Sequence, residues 1–596
     1  HPLIRAAVVA LATAGERRSA HRRLASVHPE DAERRAWHLA EATVEPDAAI
    51  AGLLERAARR IRRRGDAVGA IGWLTRAADL HPDARARNRL LVEAAHLGAD
   101  VAGDLGFASQ LLAAADGGGP TADESLVAAL TAATVLLCAD GDIETGHRLL
   151  LAAIERRLDE RTTADPLMVQ AFDNLRVVCQ FGAREHLWAG LDAAALRLPA
   201  DARDAVRWSV EVGDDPARAS AEALRHLDDA VAALAHEGDT TVVARVVPQA
   251  FYVDRLPGCR TALRRTVALG RDGTAVVPGM YALVLLAFDR YWAGDWEEAS
   301  ELAAEGAVGS EAIGFGVLSW PAWYCQALLA AGRGEDQAVR SLTDRMVGAS
   351  APRGARMVEV FAHHVLALAA LGRGDAETAY DHASRVSPPG TFPSRVPVAV
   401  WCALDLVDAA VRTGRPEAAA AHAAAMRDAG LAAISPRLAL VLGASAAMAA
   451  DDDRSPALFD DALATPGAHR WPFDVARVEL AHGERLRRAK ATGDARTHLA
   501  AALATFERIG AAPWAQRART ELRAAGRASA PTHRPSLDDL TPQEHEIATL
   551  AASGLTNKQI GERLFLSHRT VGAHLYRIFP KLGITSRAAL RDALGD

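Results

Sequence analysis

Lysine is almost missing. Lys490, Lys558 and Lys581 are the only three in 596 residues, although lysine and arginine together number 68. A phosphate loop of the form G-x-x-x-x-G-K-[ST] needs a lysine ammonium on the β- and γ-phosphates. No such motif occurs, so ATP hydrolysis by these residues is not expected. Aromatic residues make up 5% of the chain, half of it is apolar, and alanine is used heavily. β-Sandwiches rely on β-branched and aromatic residues, so this composition favours helices packed closely through small side chains. The five cysteines, Cys138, Cys179, Cys259, Cys325 and Cys402, are scattered with no C-x-x-C pair. That predicts buried reduced thiols in a cytosolic protein, and neither a disulfide frame nor a zinc site. No apolar run approaches the roughly 18–20 residues of a membrane span, and no signal peptide is present, so no membrane partner is expected. There is no H-E-x-x-H and no G-x-S-x-G, and "GFGVL" at Gly314 is no dinucleotide fingerprint. His363 and His364 are adjacent, hence about 100° apart on a helix, and cannot clamp one metal together. No enzyme, cofactor or metal site is expected. The chain starts at His1 without a methionine, which reads as a piece of a longer product with sequence missing upstream.

What is present is a rhythm. Turn signals built of a small residue, glycine and an acid or arginine recur between apolar-periodic segments: Gly294, Gly334, Gly374 and Gly414 are spaced by 40 residues each. Upstream, Gly65, Gly103 and Gly141 are 38 apart, Gly182 follows after 41, and Gly258 fits two further units. Alanine or leucine at i, i+3, i+4 and i+7 flanks each glycine, so every unit reads as helix, turn, helix. Glycine suits the turn because a helix ending on a left-handed residue carries no Cβ penalty there. A fixed period of this size predicts a solenoid of antiparallel helix pairs. "YWAGDWEEASELAAEGA" resembles the second helix of a tetratricopeptide repeat, with Gly294 at the turn and Ala299 at the packing position, so the array over 50–522 is TPR-like. Two readings stay open for it: a surface that binds a peptide, protein or effector, or a spacer that holds terminal modules apart. After Phe506 the pattern fades, and 523–539, "RAAGRASAPTHRPSLDD", has the composition of a flexible linker.

The last module, 540–596, announces its helices. Thr541-Pro542-Gln543-Glu544 is a capping box with proline at the first helical position, for a helix to Ala552 stopped by Gly554. Thr556-Asn557-Lys558-Gln559 opens a second helix carrying Ile560 and Leu564. Ser567 caps a third after a turn at Phe565-Leu566, and Thr585 or Ser586 caps a fourth through Leu594. Helices two and three have the spacing of a helix-turn-helix. On the third, Val571, Leu575 and Ile578 would face the core, while Arg569, Gly572, Ala573 and Tyr576 point away, a shape suited to the major groove of double-stranded DNA. Charge agrees: between Asn557 and Arg591 seven basic residues stand against Glu562, a local net of +6 on a chain whose total is −7. A local positive field attracts phosphate without making the rest adhere to DNA.

The segment "LTPQEHEIATLAASGLTNKQIGERLFLSHRTVGAHLYRIFPKLGITSRAAL" resembles the C-terminal DNA-binding domain of the LuxR family. The matching residues are Leu540-Thr541, Glu544, Leu550, Ala552, Gly554, Asn557-Lys558, Ile560, Leu564, Ser567, Thr570-Val571, His574, Lys581-Leu582 and Arg587. The chain is also similar to the large ATP-binding LuxR regulators of actinobacteria. "HPLIRAAVV" (1–9), "ERRSAHRRLA" (16–25) and "RRAWHLAEA" (34–42), within the helical segment 1–49, look like the region after a STAND-type ATPase domain. The resemblance implies an all-α, cytoplasmic transcription regulator: a TPR-like helical-repeat solenoid, then a four-helix LuxR-type helix-turn-helix domain. It implies ATP only if a nucleotide domain lies upstream. Its partners would be DNA, RNA polymerase, an effector on the array and a second copy through the fourth helix. Expected DNA contacts are Lys558 and Arg569 on phosphates, then Arg577 and Lys581, with Asn557, Ser567 and Thr570 nearby and Ala573 and Tyr576 toward the bases. His574 reads as structural.

Two departures qualify this. No phosphate loop is present, and Gly572 stands where the family usually carries lysine or arginine. Pro580 should end or kink the third helix near Phe579. The rival readings are a fragment of an ATP-driven signalling regulator and a protein-interaction scaffold.

Overall fold

Gly294, Gly334 and Gly374 each end a helix in the left-handed conformation, at φ +81°, +81° and +82°. They separate Val276–Ala293 from Trp296–Ala312, Gly316–Arg333 from Asp336–Ser350, and Arg356–Arg373 from Ala376–Val386. Each cap is a local device: the glycine releases the chain from the helix, and an acid stands at the N-cap of the next, though Asp295 and Glu335 make no side-chain cap bond. At Gly374 that acid is Asp375, whose carboxylate accepts from the Thr378 amide at 3.2 Å. Gly414 and Gly103 are also left-handed. The computed structural model describes residues 8, 10–27, 30–64, 66–115, 122–138, 142–160, 165–526, 540–582, 584 and 586–594. The expected turns at Gly65 and Gly141, most of the expected linker (527–539) and the expected cap Thr585 lie outside the described residues.

The described residues divide into two units, 1–521 and 522–596, and contain helices and no strand. The first unit is a TPR-like solenoid of helix pairs. Two glycines do other work than the period suggested. Gly182 is the last residue of the helix Pro166–Gly182, and Ala183 takes the left-handed position at φ +48°. Gly258 sits in the first turn of Leu256–Arg271, after a turn made by Asp254 at φ +62°. A Cβ on Gly258 would lie 2.7 Å from Val231, so this glycine serves close helix packing. The array also does not fade after Phe506: Ala512–Ala524 is one more helix, burying Trp514 and Ala518. Its arginine-rich outer face hid the apolar stripe. All five cysteines are buried and free. No helix among the described residues is long and apolar enough to cross a membrane.

The array coils back on itself. Hydrogen bonds join residues 174 to 203 positions apart, including Arg218 to the Phe392 carbonyl (2.9 Å), Ser394 to Asp215 (2.8 Å) and Arg395 to Asp192 (2.7 Å). That separation is four to five units of the 40-residue period, so one coil rests on the next. Gly334 lies at such a contact: a Cβ there would overlap the Pro513 ring, whereas at Gly374 a Cβ meets nothing within 4 Å. Gly374→Ala is expected to cost about 1–2 kcal/mol, the strain of a left-handed alanine alone. Gly334→Ala should cost clearly more, because proline is rigid. Urea unfolding of the two variants checks the order.

Between the coils the few aromatic residues are concentrated. Rings of Phe251, Tyr252, Trp292 and Phe288 approach Trp401 at centroid distances of 4.8, 4.9, 5.2 and 6.1 Å. Arginines paired with buried carboxylates also join helices of the array. Arg260 holds Asp289 through two bonds (2.7 and 2.9 Å), as Arg517 holds Glu484 (2.6 and 2.9 Å). Arg437, paired with Asp254 at 3.0 Å, lies 4.4 Å from the Trp292 ring centroid. A planar guanidinium can pair bidentately and stack at once; an ammonium cannot.

Candidate nucleic-acid interface

In the second unit, three helices start where local chemistry dictates. Before α1 (Pro542–Ala552), Thr541 Oγ1 accepts from the Glu544 amide at 3.2 Å and Glu544 Oε2 accepts from the Thr541 amide at 3.0 Å. Before α2 (Asn557–Leu564), Thr556 and Gln559 repeat the box at 3.4 and 2.8 Å. Before α3 (His568–Lys581), Ser567 Oγ accepts from the Thr570 amide at 3.0 Å. Each box satisfies helix N–H groups that have no intrahelical partner.

The α2–α3 turn is tight. Phe565 ends α2 in the left-handed conformation at φ +57°, and a Cβ on Gly561 would sit 2.5 Å from the Leu566 carbonyl oxygen. Gly561, which carries no signal in the sequence pattern, is therefore what lets the chain turn so closely. Val571, Leu575 and Ile578 are buried with Ile547, Ala548 and Ile560. Each such side chain contributes about 1.5–3 kcal/mol, which fixes how α3 is rotated.

Two expectations need correcting. α3 runs past Phe579 and Pro580 to Lys581, and the Leu582 amide still bonds the Ile578 carbonyl at 3.0 Å. A proline in the last turn removes one ladder bond only, and buried Leu582 anchors the chain beyond it. The expected fourth helix is a 3₁₀ turn, Arg587–Ala589, leading into the short α4 (Leu590–Ala593), and Ser586 makes no side-chain cap bond.

The outward side of α3 carries Arg569, Ala573, Tyr576 and Arg577, at i, i+4, i+7 and i+8. All are exposed, Tyr576 at 80%. Ser567 and Thr570 are exposed at its start, their hydroxyls 2.7 Å apart. Lys558 is exposed at the start of α2. Gly572 is half-buried, and a Cβ there would make ordinary contact with Asn557 at 3.6 Å. His574 is half-buried, with Nδ1 3.2 Å from Arg577.

Apart from Arg577, which lies against His574 on its own helix, the basic residues divide into two groups. Lys581 Nζ donates to Glu544 at 2.5 Å, across the α1 capping box. Arg587 donates to Asn557 Oδ1 at 2.6 Å and to the Leu555 carbonyl, so Asn557 is engaged as well. Lys558, Arg563, Arg569 and Arg591 have no hydrogen-bond or ion-pair partner among the described residues and point to solvent.

The Lys581 hydrogen bond, then the Thr541 amide, hold the Glu544 carboxyl well below its ordinary 4.5, at about 2. A carboxylate lowered on folding adds stability above pH 4.5 that is lost as pH falls through about 2. Lys581→Met is expected to remove the largest single part of this acid dependence, the Thr541 bonds keeping the rest, and about 1–2 kcal/mol at pH 7. The C-terminal transition in calorimetry of the full chain reads both.

Fold and site together define a class: a helical-repeat array and a separate helix-turn-helix unit with a cationic outward helix. Comparison places the second unit more closely. Residues 538–593 match the model of bacterial regulatory proteins, luxR family, so the C-terminal unit is a LuxR-type helix-turn-helix. A putative HTH-type transcriptional regulator of Mycobacterium tuberculosis is 41% identical over 92 residues, 15% of this chain and 9% of that one. The transcriptional regulatory protein LiaR of Bacillus subtilis is 46% identical over 50 residues, 8% and 24% of the two chains. The DNA-binding transcriptional activator DevR/DosR of Mycobacterium tuberculosis is 45% identical over 51 residues, 9% and 24%. These matches thus span a small part of either partner. Among solved structures, the APC/C hetero-tetramer Cut9-Hcn1 aligns over 85% of this chain and 97% of that one, at 14% identity and a TM-score of 0.38.

Proposed function

We propose that this protein regulates transcription by laying α3 in the major groove of double-stranded DNA, under the control of its helical-repeat array. The observation that carries the reading is the unpartnered charge of Lys558 and Arg569, set at the starts of α2 and α3 beside an otherwise small and polar face. Backbone N–H groups at a helix start add to phosphate attraction. Arg577, Ser567 and Thr570 extend the phosphate-facing rim, and Ala573 and Tyr576 meet base edges. Lys581 and Asn557, engaged within the unit, hold α1 and α2 in place beneath that surface. Gly572 leaves a gap where a long cation would reach a base, so the preferred sequence is this chain's own.

For the array, a cavity of about 570 Å³ supports the sensing reading. It is lined by Phe251, Arg260, Asp289, Trp292, Arg470 and Trp471 among others, and its volume is in the range of small-molecule sites. An occupant there would bridge coils that the sequence sets far apart. Pairing of two chains through the α4 segment would present two α3 helices to a two-fold DNA site, with RNA polymerase as the downstream partner. Selection of bound duplexes by the full chain tests the reading. Enrichment of a paired half-site is expected, and recovery of no sequence above an unselected pool would overturn it.

A further inference from the structure

His482, on the helix Pro472–Arg488, is 1% exposed, and neither of its ring nitrogens has a hydrogen-bond partner. Buried polar groups are almost always paired, so an imidazole with two orphaned nitrogens asks for a partner. Its surroundings are built. Phe459, from Ser455–Leu463, stacks on the ring at 4.9 Å and 15°. His498, from Thr492–Ile509, lies with its ring centroid 4.1 Å away. Gly483 permits that approach: a Cβ there would sit 2.5 Å from Leu499. His482 Nδ1 faces Asp460 Oδ1 at 3.8 Å, too long for a hydrogen bond. One ligating atom from each of Asp460, His482 and His498 lies within 4.8 Å of the other two.

We propose that Asp460, His482 and His498 bind a divalent transition-metal ion of the zinc type. Two imidazoles and a carboxylate are a donor set for such an ion. Ligands about 2.1 Å from a tetrahedral ion are about 3.4 Å apart, so the gap of 3.8 Å between His482 and Asp460 needs to close by only about 0.4 Å. Glu479 Oε2 lies 2.5 Å from His498 Nδ1, the carboxylate–histidine pairing that orients a metal-bound imidazole and leaves its Nε2 to ligate. Glu479 is a positioning residue. The Asp460 side chain is 66% exposed, which gives the ion a way in and leaves its fourth position to water.

A second cluster, His364, Cys402 and Asp405, lacks this vacancy. Asp405 already holds the Arg477 guanidinium at 2.5 Å, and His364 Nδ1 is taken by Tyr324 at 2.5 Å. A fixed cation against the carboxylate opposes a second one.

The test is a zinc titration of the full, untagged, chelator-stripped chain against a chromophoric competitor. The parent is expected to bind one Zn²⁺ tightly. His482→Gln and Asp460→Asn should weaken that site about a hundredfold or more, and Glu479→Gln about tenfold. Zinc should raise the unfolding midpoint of the parent by several degrees and leave Asp460→Asn unmoved. Asp460 is exposed, so its variant keeps the measurement interpretable if His482→Gln unfolds. A parent that binds no Zn²⁺, or an Asp460→Asn chain that keeps the full tight stoichiometry, overturns the proposal. Two other histidine pairs, His21 with His38 and His363 with His382, each have their Nδ1 atoms 3.0 Å apart, and capture of the ion by either would register as that second outcome.

Discussion

Replacing Lys558 and Arg569 together with alanine is expected to weaken binding of duplex DNA roughly fiftyfold near 0.15 M salt, by much the same factor for every sequence. Each phosphate contact releases condensed counterions and adds about 0.9 to the slope of log affinity against log salt, so the double variant should lose about two units of slope. Both side chains reach solvent without a partner among the described residues, at the starts of α2 and α3, where a phosphate would find backbone N–H groups as well. Loss is sequence-independent because phosphates carry no base identity. Lys581 supplies the contrast: its ammonium is spent on Glu544 at 2.5 Å, so Lys581→Met should change stability more than slope. A double variant whose salt slope equals the parent's would remove the basis of the DNA-binding reading.

That contrast marks how far the sequence could be read. Counting charges from Asn557 to Arg591 correctly located a cationic module, but charge counting cannot see that Glu544 lies against Lys581 or Asn557 against Arg587. The capping boxes and the buried stripe Val571, Leu575, Ile578 were legible because each is a pattern within one turn or one helix. The same holds for Gly294, Gly334 and Gly374, whose left-handed caps need only their neighbours. Gly182 and Gly258 kept the period, yet a Cβ on either would run into the side chain packed against it, Leu187 or Val231, which spacing does not encode. Least legible were the contacts between coils. Asp254 and Arg437 are 183 residues apart, and nothing in either local sequence names the other. Pro580 misled in the opposite way: its rule is local, but the cost of breaking it in a final turn is small.

The largest effect on stability is expected from Arg477→Met, a loss of about 3–5 kcal/mol from the array, because it leaves a buried carboxylate without its cation. Asp405 is 0% exposed; its Oδ1 accepts from Arg477 at 2.5 Å, while Oδ2 has no hydrogen bond and only His364 Nε2 nearby, at 3.3 Å. Asp474 also depends on Arg477, since burial pushes its carboxyl above the usual range while Arg437 and Arg477 pull it back. One substitution therefore strands Asp405 and weakens the support of Asp474, which keeps Arg437 at 3.9 Å. Asp405→Leu should cost roughly half as much, because Arg477 keeps Asp474 and the Trp514 ring, whose centroid is 4.9 Å away. In the double variant Asp405→Leu/Arg477→Met the unpaired charge at 405 is gone, and most of the loss should return, as it does when a buried pair is replaced by apolar residues of similar volume. Urea midpoints for the four chains give the coupling directly. If the double variant is as unstable as Arg477→Met alone, the arginine matters for its packing on Trp514 and not for its charge. If the coupling is recovered, these arginine–carboxylate pairs act mainly by setting which helices may meet, while the aromatic residues around Trp401 supply the attraction.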